Sequence, residues 1–99
     1  MTDLCTEMKK FGKGIGNESR YKIIEALFDG SKNVNELVEA VGLSQPAVSQ
    51  HLRTLKESDI VSDVRHGQEV TYSLNTKHIL ELLTHLSKDV RACPKEKSD

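Results

Sequence analysis

The sequence contains no tryptophan and only four aromatic residues, two Tyr and two Phe. Aromatic stacking platforms are the usual means of holding single-stranded nucleic acid, so this composition argues against one. No apolar run approaches the roughly 18 residues of a membrane span. The N-terminal stretch MTDLCTEMKKF lacks the apolar core of a secretory signal. We therefore expect a cytoplasmic protein with one domain over residues 1–99, in which residues 94–99 form a disordered tail.

Cysteine is scarce as well, because Cys5 and Cys93 are the two in the chain and lie near opposite ends. Two distant cysteines make neither a disulfide framework nor a zinc-finger spacing. The net charge is −1, so overall charge does not indicate a nucleic-acid partner. Acidic residues are nevertheless absent from residues 43–56, which leaves a small basic patch around Arg53 and Lys56. Such a patch fits either a DNA-binding surface or a helix without a partner.

Apolar residues recur at helical spacing in the first half of the chain. A first helix is predicted over residues 3–15, ending in a glycine-rich stretch, and Asn17 is positioned to cap a second helix. Residues 33–41 and 44–57 predict a third and a fourth helix, separated by a tight turn at Gly42. Two short helices joined in this way form a helix-turn-helix.

Two segments rich in β-branched residues follow, DIVSDV (59–64) and EVTYSL (69–74). The segment RHGQ (65–68) between them predicts a glycine-containing hairpin loop. A hairpin directly after a helix-turn-helix is a wing, and residues 76–92 predict a last helix. The expected fold is therefore mainly α with a small β-hairpin, a winged helix-turn-helix with five helices.

The front of the fourth helix is rich in Ser, Gln, His and Arg, whereas an exposed helix is best favoured by Glu, Lys and Ala. A helix in the major groove reads bases with side chains near its N-terminus, where Gln can bond adenine and Ser either base. We predict base contacts from Gln45, Ser49 and Gln50. Phosphate contacts are predicted from Ser44, His51, Arg53 and Lys56, and wing contacts from Arg65, His66 and Gln68. The alternative is an ordinary polar surface.

With these motifs the chain resembles the ArsR/SmtB family, bacterial winged-helix repressors that sense metals, metalloids or redox species. The resemblance covers about residues 4 to 93. It rests on the segments GNESRYKIIEALFDG, VNELVEAVGLSQPAVSQHLRTLKESDIV and RHGQEVTYSL. It implies a winged-helix fold, a double-stranded DNA operator, and a homodimer built from the first and last helices.

Two apolar stripes support such a dimer independently of the resemblance. They consist of Leu4, Met8, Phe11 and Ile15 on the first helix, and of Ile79, Leu82, Leu83, Leu86, Val90 and Cys93 on the last. The alternative is that both stripes cover the core of a single chain. A two-fold dimer would place its two recognition helices about one DNA turn apart and favour an inverted-repeat operator.

The resemblance also directs attention to effector sites, which differ between family members. The third-helix metal site requires a pair of cysteines, and none occurs in NVNELVEAV (33–41). Of the four ligand positions of the last-helix zinc site, two are lost here. A shifted set of nitrogen and oxygen ligands for zinc or nickel is offered by His78, His85 and Asp89. The alternative is a solvated polar face.

A thiol switch is a second hypothesis for the effector. The segment ACP at the end of the last helix resembles the thiol position of the family's sulfide and redox sensors. Their partner thiol lies in the second helix, where this chain has Glu25 or a neighbour, so Cys5 would have to pair with Cys93. The alternative is that both cysteines are small buried hydrophobes.

Three functions compete at this point. The sequence favours a dimeric DNA-binding repressor, relieved by a metal ion, a metalloid or a thiol-reactive effector, with no other cofactor expected. A winged-helix module that binds protein instead of specific DNA is the alternative, and a buried or ion-paired Arg53 would favour it. We do not expect an enzyme, because the sequence contains no phosphate loop, clustered carboxylates in a glycine-rich pocket or Ser/His/Asp spacing of a known kind.

Overall fold

A computed structural model describes residues 4–94, and its elements follow the predicted order with one addition. They are α1 (Leu4–Ile15), α2 (Glu18–Ala26), β1 (Lys32–Asn33), α3 (Val34–Val41), α4 (Gln45–Glu57), β2 (Val61–His66), β3 (Glu69–Leu74) and α5 (Thr76–Arg91). The mainly α winged helix-turn-helix is confirmed. Except for Pro94, the predicted tail lies outside the described residues. None of the helices within residues 4–94 is both long and apolar enough to cross a membrane.

The helix ends follow from local capping groups, as the sequence predicts. Asn17 Oδ1 accepts a hydrogen bond from the backbone N–H of Arg20 at 3.0 Å. Asn33 and Glu36 form a reciprocal capping box at the start of α3, with both bonds at 2.8 Å. Gly42, at φ 72°, makes the left-handed turn that leads from α3 into α4.

The sheet has the strand order β1-β3-β2 and is antiparallel throughout. The sequence prediction missed β1, whose two residues pair with Thr71 and Tyr72 of β3. The predicted four-residue loop was too long, since Arg65 and His66 belong to β2 and pair with β3. The turn itself is Gly67 and Gln68, with Gly67 at φ 65°.

One cluster of apolar side chains holds the helices and the base of the wing together. It is formed by Ile23, Ile24, Leu27, Leu37, Val48, Leu52, Leu55, Ile60 and Val61. Val48, Leu52 and Leu55 are the buried side of α4. Burying three such side chains contributes on the order of 5 to 8 kcal/mol before the ordering entropy is subtracted. The orientation of α4 is therefore fixed by the core.

Gly14 is the one buried residue of α1 within the described part of the helix. A Cβ built there would collide with Ile60 Cδ1 and lie 3.2 Å from Ser58 Cβ, whereas at Gly12 nothing lies within 4 Å. The glycine-rich end of α1 is therefore a packing surface against the turn after α4, as well as a helix terminus.

We expect Gly14→Ala to lower the free energy of unfolding by about 1 to 2 kcal/mol, because overpacking outweighs the gain in helix propensity. Gly12→Ala is the matched control and should raise it by about 0.5 to 1 kcal/mol. Urea unfolding at one fixed protein concentration measures both. A Gly14→Ala variant as stable as Gly12→Ala would contradict the packing role.

Candidate nucleic-acid interface

The polar front of α4 faces away from the core. Ser44 caps the helix by accepting a hydrogen bond from the backbone N–H of Ala47 at 3.3 Å. Gln45 Nε2 donates to Ser49 Oγ at 3.0 Å, so the two predicted base readers already contact each other. Gln45 and Gln50 are exposed, and Ser49 is half-buried. The first turns of α4 therefore present a row of hydrogen-bonding groups to solvent.

The cationic residues of α4 differ in how free they are. Arg53 is exposed, and within the described part of the chain it forms no ion pair. Lys56 is exposed too, but its Nζ lies 2.9 Å from Asp63 Oδ2 of β2. Asp63 lies in β2, outside the acid-free residues 43–56, so the sequence pattern did not indicate this ion pair. Of the two positive charges, Arg53 is the one left fully available to an anionic partner.

His51 lies on a different flank of α4 from Ser49 and Arg53. At about 100° per residue it is rotated by about 160° from Ser49. Its side chain is half-buried, while those of Gln50 and Arg53 are exposed. A contact from His51 to DNA therefore remains a prediction that would require a phosphate on the other side of α4.

The wing is tied to the helix-turn-helix through β3, close to the turn at its tip. Asn33 Nδ2 donates to Glu69 Oε2 at 2.8 Å, and β1 pairs with β3 alongside. A cleft of about 500 Å³ opens between the start of α3, Gln45 of α4 and Gln68 of the turn. All three predicted wing residues, Arg65, His66 and Gln68, are exposed. The head of α4 and the tip of the wing thus open onto one side of the molecule.

The three candidate metal ligands of α5 do not meet within one chain. His78 and Asp89 are eleven residues apart, which is about 16 Å along a helix at 1.5 Å per residue. A place on the same helix therefore does not bring these two side chains together. Among the described residues, His78 instead lies with Glu7 and Asp59, the three ligand atoms being within 4.8 Å of one another. His85 and Asp89 are exposed on α5.

Both cysteines are free and exposed. Cys5 lies in the first turn of α1, and Cys93 lies two residues beyond the end of α5. Neither is buried within the single chain. Their side chains are accessible to thiol reagents in the single chain.

Comparison with known proteins indicates the same class of protein as the geometry does, a DNA-binding regulator. A family model described as "Bacterial regulatory protein, arsR family" matches residues 17–63, from the cap of α2 into β2. The transcriptional repressor SdpR of Bacillus subtilis is 38% identical over 69 residues, which cover 70% of this chain and 77% of SdpR. The structure of HlyU from Vibrio cholerae is 34% identical, covers 87% of this chain and 97% of HlyU, and has a TM-score of 0.70.

A third relative, a probable mercury resistance operon repressor of Streptomyces lividans, is 31% identical over 74 residues. The match covers 75% of this chain and 59% of that repressor, so the chain spans less than two thirds of its length. The named relatives are regulators. They agree with the expectation that this chain is a regulator and not an enzyme. The chain belongs to the arsR family of bacterial regulatory proteins and is a winged-helix transcriptional regulator that binds DNA.

Proposed function

We propose that this protein is a cytoplasmic homodimeric repressor that binds an inverted-repeat operator through α4 and the wing. The observation that carries the proposal is the uncovered polar front of α4 on a helix fixed by Val48, Leu52 and Leu55. A rigid helix with free hydrogen-bonding groups in its first turns is what major-groove readout requires. SdpR and the mercury resistance operon repressor are named as repressors and support repression, whereas HlyU is named a transcriptional activator.

The hydrogen bond between Gln45 and Ser49 supports a specific role for Gln45. With one amide N–H donated to Ser49 Oγ, the second N–H and the carbonyl oxygen of Gln45 have no partner among the described residues. Those two groups are the pair that forms a bidentate contact with adenine N7 and N6. We assign base readout to Gln45, Ser49 and Gln50. Positioning on phosphates is assigned to Ser44, His51, Arg53 and Lys56, with the wing residues Arg65, His66 and Gln68 contributing beside them.

The exposed apolar stripe of α5 supports the homodimer. Leu83 is 43% exposed and Val90 is 62% exposed in the single chain. Leu82 belongs to the same stripe and is buried, so the core of the single chain covers only part of the stripe. A second copy related by two-fold symmetry would cover the remainder and set the spacing of two half-sites.

Selection from random duplexes tests the proposal directly. The wild-type chain should enrich an inverted repeat, and its affinity should fall steeply as salt concentration rises. If no sequence is enriched over the starting pool, the proposal is wrong. Retention on a heparin column at low salt separates it from the protein-binding module. That module is already disfavoured by Arg53, which is exposed and has no ion pair among residues 4–94.

Gln45→Ala is expected to relax base preference at one position in each half-site, with a cost of about 1 to 3 kcal/mol for the preferred duplex. Affinity for random DNA should stay near the wild-type value, because no charge is removed. Competition binding against single-base operator variants measures the change. Thr84→Ala, on the exposed polar side of α5, is the control that should retain the full preference. An unchanged preference profile for Gln45→Ala would exclude the assigned readout.

We further propose that an effector relieves repression, either a metal ion or metalloid or a thiol-reactive compound. The relative named for mercury resistance supports the metal class, and the accessibility of Cys5 and Cys93 supports the thiol class. Titration of the protein–DNA complex with zinc, nickel, arsenite, sulfide and oxidant distinguishes the classes. A Cys5→Ser/Cys93→Ser variant should lose only a thiol response.

A further inference from the structure

We propose that Glu7, Asp59 and His78 form a binding site for a divalent transition-metal ion within a single chain. The three side chains come from α1, from the turn after α4 and from the first turn of α5. One imidazole nitrogen and two carboxylate oxygens lie within 4.8 Å of one another. His78 Nε2 and Glu7 Oε1 are the closer pair, at 3.4 Å. The site is independent of the operator proposal, since it involves none of the residues assigned to DNA.

Two buried atoms of this cluster have no hydrogen-bond partner among residues 4–94, although they lie within ion-pair distance of each other. They are Glu7 Oε1 and His78 Nε2, and their side chains are 14% and 27% exposed. Buried polar atoms are nearly always hydrogen-bonded, and leaving one unsatisfied costs about 1 to 3 kcal/mol. The two atoms are close enough to face a common ligand, and both have a lone pair to give when the imidazole is neutral. A cation between them would satisfy both at once.

The backbone of the turn that carries Asp59 is fixed by its conformation and by hydrogen bonds from Asn75. Asp59 has a left-handed conformation, with φ at 61°, which few residues other than Gly, Asn and Asp adopt readily. Asn75 Nδ2 donates to the Asp59 carbonyl at 3.1 Å, and the Asn75 backbone N–H donates to the Ile60 carbonyl at 2.8 Å. These two bonds lock the start of α5, and with it His78, against the turn that carries Asp59.

The ligand set selects the class of ion. Imidazole with two carboxylates suits zinc and neighbouring divalent transition metals, and it is a poor match to the all-oxygen sites of calcium or magnesium. Even at the upper limit of 4.8 Å between donors, three donors would lie about 2.8 Å from a central ion, against about 2.0 to 2.2 Å in zinc sites. Inward movements of less than about 1 Å would therefore close the site. Asp59 is 48% exposed, which leaves room for water as a further ligand.

Lys10 is the competitor of the ion. Its Nζ lies 3.7 Å from Asp59 Oδ2 and 3.9 Å from Glu7 Oε2, so it partly neutralises both carboxylates. The side chain is 44% exposed and long enough to turn outward into water. A divalent cation that bridges the two carboxylates would displace Lys10. Substitution of Lys10 would leave both carboxylates without this cationic partner. Lys10 is thus expected to weaken metal binding without preventing it.

The test is calorimetric titration of the full chain with Zn²⁺ in the absence of DNA, supported by Co²⁺ absorption spectra. The wild type should bind one ion per chain. Glu7→Gln, Asp59→Asn and His78→Gln should each lower the affinity at least about tenfold, and Lys10→Met should raise it. Asn also tolerates the left-handed conformation of residue 59, so Asp59→Asn removes charge without disturbing the turn. Glu39→Gln, an exposed acid on α3, is the control that should leave affinity unchanged.

Two results would overturn the proposal. One is the absence of Zn²⁺ and Co²⁺ binding by the folded wild type. The other is a loss of affinity in His85→Gln but not in Glu7→Gln or Asp59→Asn, which would assign the ion to the outer face of α5. Far-ultraviolet circular dichroism checks that each variant is folded, and a metal-dependent rise in Tm in the wild type but not in Asp59→Asn gives a second readout. Operator binding is unaffected by either failure, so the two proposals can be judged separately.

Discussion

Leu83→Glu is expected to convert the dimer to a monomer and to lower operator affinity at least about 100-fold, because the two half-sites are then no longer bound as one unit. Leu83 is 43% exposed in the single chain, so a second copy is needed to remove it from water. The substitution places a carboxylate on each side of a two-fold interface, where the two like charges face each other across an apolar stripe. Light scattering measures the mass and fluorescence anisotropy measures the affinity.

Thr84→Glu is the matched control, because it adds the same charge one residue along on the exposed polar side of α5. It should remain dimeric and bind the operator with nearly wild-type affinity. Val90→Lys is a second substitution that should disrupt the dimer. Val90 is 62% exposed, so its replacement removes little packing within the monomer. A Leu83→Glu chain that stays dimeric, or that binds the inverted repeat tightly as a monomer, would contradict a dimer built on α5.

The recognition helix could be predicted well because its signals are local. Ser44 caps it, Pro46 lies in its first turn, and Gly42 provides the left-handed turn before it. Each of these signals depends on residues fewer than five positions away, and the sequence displays them directly. The burial of Val48, Leu52 and Leu55 follows from helical spacing alone.

Features created by contacts distant in sequence could not be predicted. Strand β1 is two residues long, too short for any alternation, and exists because β3 lies beside it. The pairing of Lys56 with Asp63 reduces a basic patch that appears free of acids when residues 43–56 are taken alone. In both cases the partner is supplied by the wing, whose position relative to α3 and α4 is set by tertiary packing.

The cluster at His78 shows the same limit for the metal hypothesis. Glu7 precedes His78 by 71 positions, and no periodicity links the two. The sequence identified His78 through its place at the start of α5 but grouped it with residues further along the same helix. The packing of α1 against α5, with the turn that carries Asp59 beside them, gives it different neighbours. A ligand set drawn from three elements becomes visible only once the fold is known.

Arg53→Ala is expected to lower the affinity for every duplex about tenfold and to reduce the slope of log affinity against log salt by about 1. Arg53 is exposed and, within the described residues, has no acidic partner to lose. The removal of one phosphate contact should weaken specific and random DNA to a similar extent, because phosphate contacts carry no sequence information. Anisotropy titrations with operator and random duplexes at several salt concentrations measure both quantities.

Substitutions of two lysines, Lys56 and Lys88, test whether the effect of Arg53→Ala depends on the position of the charge. Lys56→Ala should have a smaller effect than Arg53→Ala, since Asp63 already offsets part of the charge of Lys56. Lys88→Ala removes the same charge from α5, remote from the helix-turn-helix, and should leave the salt slope unchanged. An equal loss from Lys88→Ala would indicate that only net charge matters. A change in base preference with an unaltered slope would move Arg53 from the phosphates to a guanine edge, where arginine forms its bidentate contact.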